Sequence, residues 1–122
     1  MFRVCKTFRF EAAHRLPDHD GKCRKLHGHS YRVEVEVATA TLAAEGPKRG
    51  MAIDFGDVKE AVADIVNQMD HTVLNDRALW SDTPPTAEAI AKEFYDVVSR
   101  RLLGVSRVRV WETDDSWAEY TP

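Results

Sequence analysis

Hydrophobic residues recur at every second position over two long stretches of this chain. In the first, Phe2, Val4, Phe8, Phe10 and Ala12 hold the even positions. In the second, Tyr31, Val33, Val35 and Val37 alternate with Ser30, Arg32, Glu34 and Glu36. A period of two puts the two sets of side chains on opposite faces of a strand, so both stretches predict half-buried β-strands. The period then lengthens. Val58, Ala61, Val62, Ile65 and Met69 are spaced by three and four behind the N-cap Asp54, which predicts a helix ending at Asp70-His71. Asp54 and Phe55 read as the start of that helix and its core. After Pro84-Pro85, Thr86 caps a second helix with Ile90, Phe94, Val97 and Val98 as its apolar stripe and Gly104 as its stop. Alternation returns from Ser106 to Thr113, with Val108 and Val110 inward, Arg107 and Arg109 outward, and Glu112 on the inward parity. A short last strand spans Trp117 to Tyr120. Thr39 to Gly50 forms the turn region after the second strand, with pairing expected to resume around Met51 to Ile53. The order ββααββ predicts an α+β fold, a four-stranded antiparallel sheet with two helices packed on one face. With no linker and no repeat, residues 1–122 are expected to form a single domain.

Composition narrows the function. A formal net charge of −3 argues against a general nucleic-acid or membrane-surface role. The first residues alternate rather than form the apolar core of a signal peptide, and no apolar run reaches membrane-spanning length. A cytoplasmic protein is expected, in which Cys5 is a strand residue and Cys23 a free thiol. Arg32, Glu34, Glu36, Arg107 and Arg109 fall on the sheet face away from the helices. That face is either solvated or lines a central tunnel made when the sheet closes with copies of itself, which would remove its exposed edges.

Four of the five histidines fall in three short patterns: Phe10-Glu11-Ala12-Ala13-His14, Cys23-x-x-x-His27-Gly28-His29, and Asp70-His71. His27 and His29 share the odd parity of their strand, and His14 continues the even parity of the first. If the two strand ends lie side by side, three imidazoles meet on one face. Any one of them alone reads as an ordinary surface or core histidine. Together they suit a Zn²⁺ ion with a fourth position left open, as in catalytic zinc sites. Imidazole also suits iron and copper, so the preference for zinc rests on ligand type alone.

The set of motifs is identified by its resemblance to a family. Phe10-x-Ala12-Ala13-His14, Cys23-x3-His27-Gly28-His29, Asp54-Phe55, Asp70-His71 with Leu74-Asn75-Asp76, Pro85-Thr86-x-Glu88 and Glu112-Thr113 together resemble the 6-pyruvoyl-tetrahydropterin synthase superfamily. Within it they are most similar to the branch that makes 6-carboxy-5,6,7,8-tetrahydropterin for queuosine (7-deazaguanine) synthesis. The three-residue gap between Cys23 and His27 is that branch's spacing, and animal pyruvoyl synthases generally have a longer one. The motifs cover nearly the whole chain in order; singly each is weak.

The resemblance implies a tunnelling fold, with trimers stacked in pairs into a homohexamer and active sites at subunit interfaces. It implies conversion of 7,8-dihydroneopterin triphosphate to 6-carboxy-5,6,7,8-tetrahydropterin with loss of acetaldehyde and triphosphate. In that scheme zinc on His14, His27 and His29 is a Lewis acid toward the side-chain hydroxyls. Cys23 is the general base as its thiolate, with a fourth zinc ligand as the structural alternative. Lys22, Arg24 and Lys25 either attract the triphosphate or form a solvated basic loop. Asp70 and His71 resemble the family's acid/base pair, against the alternative of a histidine favoured by a helix C-terminus. Glu112 would anchor the pterin by accepting two parallel hydrogen bonds from N3-H and the 2-amino group. Thr86 and Glu88 match a second ligand-proximal motif but are also what a helix N-terminus favours. Two other readings remain: the pyruvoyl synthase reaction, distinguished by product mass, and a non-catalytic zinc- or pterin-binding module, which chelation would unfold.

Overall fold

Strand alternation and helical spacing become two layers in the computed structural model, which describes residues 1–122. The elements are β1 (Phe2–His14), β2 (His27–Thr39), α1 (Phe55–Met69), β3 (Thr72–Val73), α2 (Ala87–Ser99), β4 (Val105–Thr113) and β5 (Ser116–Tyr120). Three single-turn 3-10 segments lie at Lys22–Arg24, Leu74–Asp76 and Ala78–Trp80. The sheet order is β3-β1-β2-β4-β5, and both helices pack on the face made by the apolar parity.

The sheet therefore has five strands and is mixed, not the four-stranded antiparallel sheet expected. The fifth strand, β3, runs parallel to β1 and pairs Thr72 with Ala12 and Val73 with Ala13. A two-residue strand has no period to read, which is why the hydrophobic pattern did not reveal it. Met51 to Ile53 do not resume pairing with the sheet. Instead the loop closes on itself, with Gly50 N–H donating to Ala43 O at 2.9 Å and Ala43 N–H to Met51 O at 3.0 Å.

The helices start where their caps predict. Asp54 accepts from Gly56 N–H at 2.7 Å and Thr86 Oγ1 from Ala89 N–H at 3.2 Å. α1 buries Val58, Ala61, Val62, Ile65 and Met69 as expected, its larger apolar side chains contributing about 1.5–3 kcal/mol each. α2 departs from its expected stripe. Val97 is only half-buried, while Ala87 and Ala91 are buried beside Ile90, Phe94 and Val98. The helix also ends at Ser99, five positions before Gly104. Gly104 instead shapes the run into β4: its φ is +82°, and a Cβ there would lie 3.1 Å from Ala38 O.

Twenty-one buried apolar residues form one core cluster between the layers. The opposite sheet face carries linked ion pairs. Arg107 bridges Glu36 at 2.8 Å and Glu119 at 3.2 Å, and Arg109 reaches Glu119 at 2.9 Å. β3 covers only the end of β1, so the edge from Phe2 to Phe10 is open, as is the outer edge of β5. No helix is long and apolar enough to cross a membrane.

Candidate active site

The antiparallel β1–β2 register pairs His14 with His27 and Ala12 with His29. His14 and His27 are thus direct cross-strand partners, and His29 lies one step along the same face. Their ring centroids are 4.6, 5.0 and 5.1 Å apart. One ligand nitrogen from each gathers within 4.8 Å of the others.

Backbone carbonyls set the tautomers. His14 Nδ1–H donates to Pro85 O at 2.8 Å, and His27 Nδ1–H donates to Lys25 O at 2.7 Å. Because a carbonyl only accepts, each of these rings keeps its proton on Nδ1 and leaves the Nε2 lone pair free. His29 Nε2 is buried without a protein partner, an arrangement that costs about 1–3 kcal/mol unless something occupies the lone pair. A divalent cation bound by three imidazoles does so, and the donor set fits zinc with one position open. Burial pushes the pKa of His14 and of His29 down, against the opposing pull of Glu112. Both therefore favour the neutral form that binds metal. Below the triad Tyr31 is fully buried, stacked on Phe10 at 4.9 Å and edge-on to His29 at 5.3 Å. Burial raises its phenol pKa far above the ordinary value and keeps it neutral.

His14, His27 and His29 open into a cleft of about 350 Å³ whose wall includes Leu16, Lys22, Cys23 and Glu112. Cys23 lies on the Lys22–Arg24 turn, and its carbonyl accepts from Leu16 N–H at 2.8 Å. Its thiol lines the cleft without joining the group of three ligand atoms. Glu112 sits at an irregularity in the β4–β5 ladder between Trp111 and Thr113, and its Oε1 is 3.9 Å from His14 Nε2. Such a bulge re-aims a side chain. Thr86 and Glu88 line an adjoining hollow of about 310 Å³ that shares Leu16 and Glu112 with the cleft. The Thr86 hydroxyl is already engaged as the α2 cap.

Asp70 and His71 lie elsewhere. With Glu11, Gly28 and Ser30, His71 lines a second hollow that meets the first at His29, and neither Asp70 nor His71 lines the three-histidine cleft. They do form a pair within one chain, His71 Nδ1 lying 3.0 Å from Asp70 Oδ1. Glu11 N–H, with further help from His71, holds the Asp70 carboxyl below the usual carboxylate range. His71 has φ +58°, the only non-glycine residue with positive φ, and its side chain is 78% exposed. The pattern of residue types missed the orienting carbonyls of Pro85 and Lys25, because a backbone acceptor carries no side-chain signature.

The family model described as 6-pyruvoyl tetrahydropterin synthase matches residues 3–122. The chain belongs to that family. It is 43% identical to the 6-carboxy-5,6,7,8-tetrahydropterin synthase of Synechocystis sp., over 98% of this chain and 93% of that one. It is 35% identical to the protein of the same name from Haemophilus influenzae, over 98% and 99% of the two chains. Among solved structures, the 6-pyruvoyl tetrahydropterin synthase of Caenorhabditis elegans shares the fold with a TM-score of 0.86 at 23% identity, covering 99% of this chain and 95% of that one.

Because the three ligands stand on a sheet with its own helix-packed core, metal removal is expected to leave the fold intact. Chelation should lower the unfolding midpoint only by the lost binding free energy, while the folded circular-dichroism spectrum persists. A chain that unfolds on chelation would instead mark a structural zinc site.

Proposed function

We propose that this chain is a zinc-dependent lyase that converts 7,8-dihydroneopterin triphosphate to 6-carboxy-5,6,7,8-tetrahydropterin, releasing acetaldehyde and triphosphate, in queuosine (7-deazaguanine) synthesis. The observation that carries the proposal is one cleft lined by three histidines able to hold a metal, by Cys23 outside that group and by the Glu112 carboxylate beside His14. The near-full-length relatives named for this reaction support it.

His14, His27 and His29 would hold the zinc, which when bound would supply Lewis acidity toward the substrate's side-chain oxygens. Cys23, as its thiolate, takes a proton from the substrate side chain beside the metal site. Glu112 holds the pterin ring by accepting from N3-H and the 2-amino group, which fixes the side chain in the direction of the thiol. Thr86 and Glu88, in the hollow that shares Glu112, border the ring. Lys22, on the cleft wall, with Arg24 and Lys25 just after it in the chain, draws in the triphosphate.

Asp70 and His71 are the acid/base pair, with Asp70 orienting the imidazole. Since they lie off their own cleft, they serve the cleft of a neighbouring copy. The open edges of β1 and β5 give copies a way to pair, and closure buries both. The assembly we propose is a homohexamer, a dimer of trimers around a tunnel lined by the charged sheet face. The two free cysteines suit a cytoplasmic protein.

The test is anaerobic incubation of zinc-loaded protein with 7,8-dihydroneopterin triphosphate, with products identified by mass and acetaldehyde assayed in parallel. Carboxytetrahydropterin with equimolar acetaldehyde is the expected result. A pyruvoyl product would reassign the reaction, and no conversion by zinc-loaded protein would favour a binding module.

A further inference from the structure

The end of β1 carries the metal ligand His14, and residues 70 to 75 grip that strand end from its open side. The contacts run in order along the strand. Glu11 N–H donates to Asp70 Oδ1 at 2.9 Å, and His71 N–H donates to Glu11 O at 2.6 Å. Ala12 and Ala13 then pair with Thr72 and Val73 in the short parallel ladder. Beyond Val73 the backbone turns away into the Leu74–Asp76 turn, and the Asn75 side chain takes over. Its Oδ1 accepts from Arg15 N–H at 2.9 Å, and its Nδ2 donates to Arg15 O at 2.9 Å. A side-chain amide thereby stands where the next peptide of a strand would be. Leu16, the residue after Arg15 and beyond the end of β1, donates its N–H to Cys23 O at 2.8 Å. The contacts therefore reach from Asp70 to the backbone of Cys23, with His14 held between Ala13 and Arg15.

We propose, resting on the site assigned above, that Asn75 is a positioning residue for His14 and for the Cys23 turn. Its chemistry is specific. One acceptor and one donor on a short planar group meet the N–H and C=O of a single residue, a match that only a side-chain amide of this length makes. Aspartate keeps the bond from Arg15 N–H but sets a second acceptor against Arg15 O. Alanine removes both bonds. The amide bonds lie at the exposed end of the strand, where water can satisfy the freed backbone groups, so the fold survives the loss while the alignment of His14 and Cys23 does not.

The experiment compares the full chain with Asn75→Ala and Asn75→Asp, so that a variant that fails to fold leaves the other to decide. Zinc affinity is read by competition with a chromogenic chelator. Iodoacetamide alkylation at Cys23 is followed by peptide mass, with exposed Cys5 as the internal reference. Both variants are expected to unfold near the parental urea midpoint, to bind zinc about tenfold more weakly, and to change the Cys23 alkylation rate severalfold with Cys5 unaltered. Turnover should fall in kcat with KM close to the parent. Parental zinc affinity and Cys23 reactivity in a folded variant would overturn the positioning role. A parent chain that binds no stoichiometric zinc would overturn the metal site itself, a result separate from any difference among the variants.

Discussion

Cys23→Ala is expected to bind one zinc per chain as tightly as the parent and to turn over about 10³-fold more slowly. The two halves of that result follow from where the thiol sits. The three imidazoles form their own group of ligand atoms, with two of the rings already oriented by carbonyls that the substitution does not touch. Cys23 stands on the cleft wall, on a turn tied to Leu16 just beyond β1 through its backbone carbonyl rather than its side chain. Alanine keeps that backbone bond and removes only the sulfur. General acid–base catalysis contributes about 10²–10⁴-fold, and a cleft wall with no other thiol offers no ready replacement for the base. The measurements are metal content after dialysis and steady-state turnover. Loss of stoichiometric zinc would make Cys23 a fourth ligand, and a rate within a few-fold of the parent would remove it from the reaction.

The three-histidine cluster was legible before the fold was, because side-chain parity survives folding. His14 on the even positions of β1 and the His27–His29 pair on the odd positions of β2 had to face the same layer once the two strands paired. Glu112 followed by the same rule, although the irregularity that aims it toward His14 has no signature in residue type. The caps Asp54 and Thr86 were legible because a side-chain acceptor before an amphipathic run has one common use. What stayed hidden was carried by backbone or by very short elements. β3 has two residues, the carbonyls of Pro85 and Lys25 could belong to any residue, and Asn75 acts through a strand distant in sequence. The separation of Asp70 and His71 from the metal cleft also has no mark in one chain's pattern. It is visible only when the elements are placed.

His71→Gly is expected to leave the fold as stable as the parent, or slightly more so, while turnover falls by about 10²–10⁴-fold. The residue follows the α1 cap Asp70 in the left-handed conformation, at the helix-end position that glycine usually occupies. An L-residue there costs about 1–2 kcal/mol, and glycine relieves it against about 0.4–1 kcal/mol of added unfolded-chain entropy. Little else is lost. The imidazole is 78% exposed, its ion pair with Asp70 is a surface contact, and Asp70 keeps its bond from Glu11 N–H. The backbone N–H of residue 71 still reaches Glu11 O, so the grip on β1 survives. A histidine held in a conformation that suits glycine, with its ring exposed, supports the acid/base role proposed for it. Urea unfolding and turnover measured on the same preparation decide the matter. Unchanged turnover would assign His71 to the helix end alone, and a large loss of stability would show that the ring packs in the assembly rather than moves a proton.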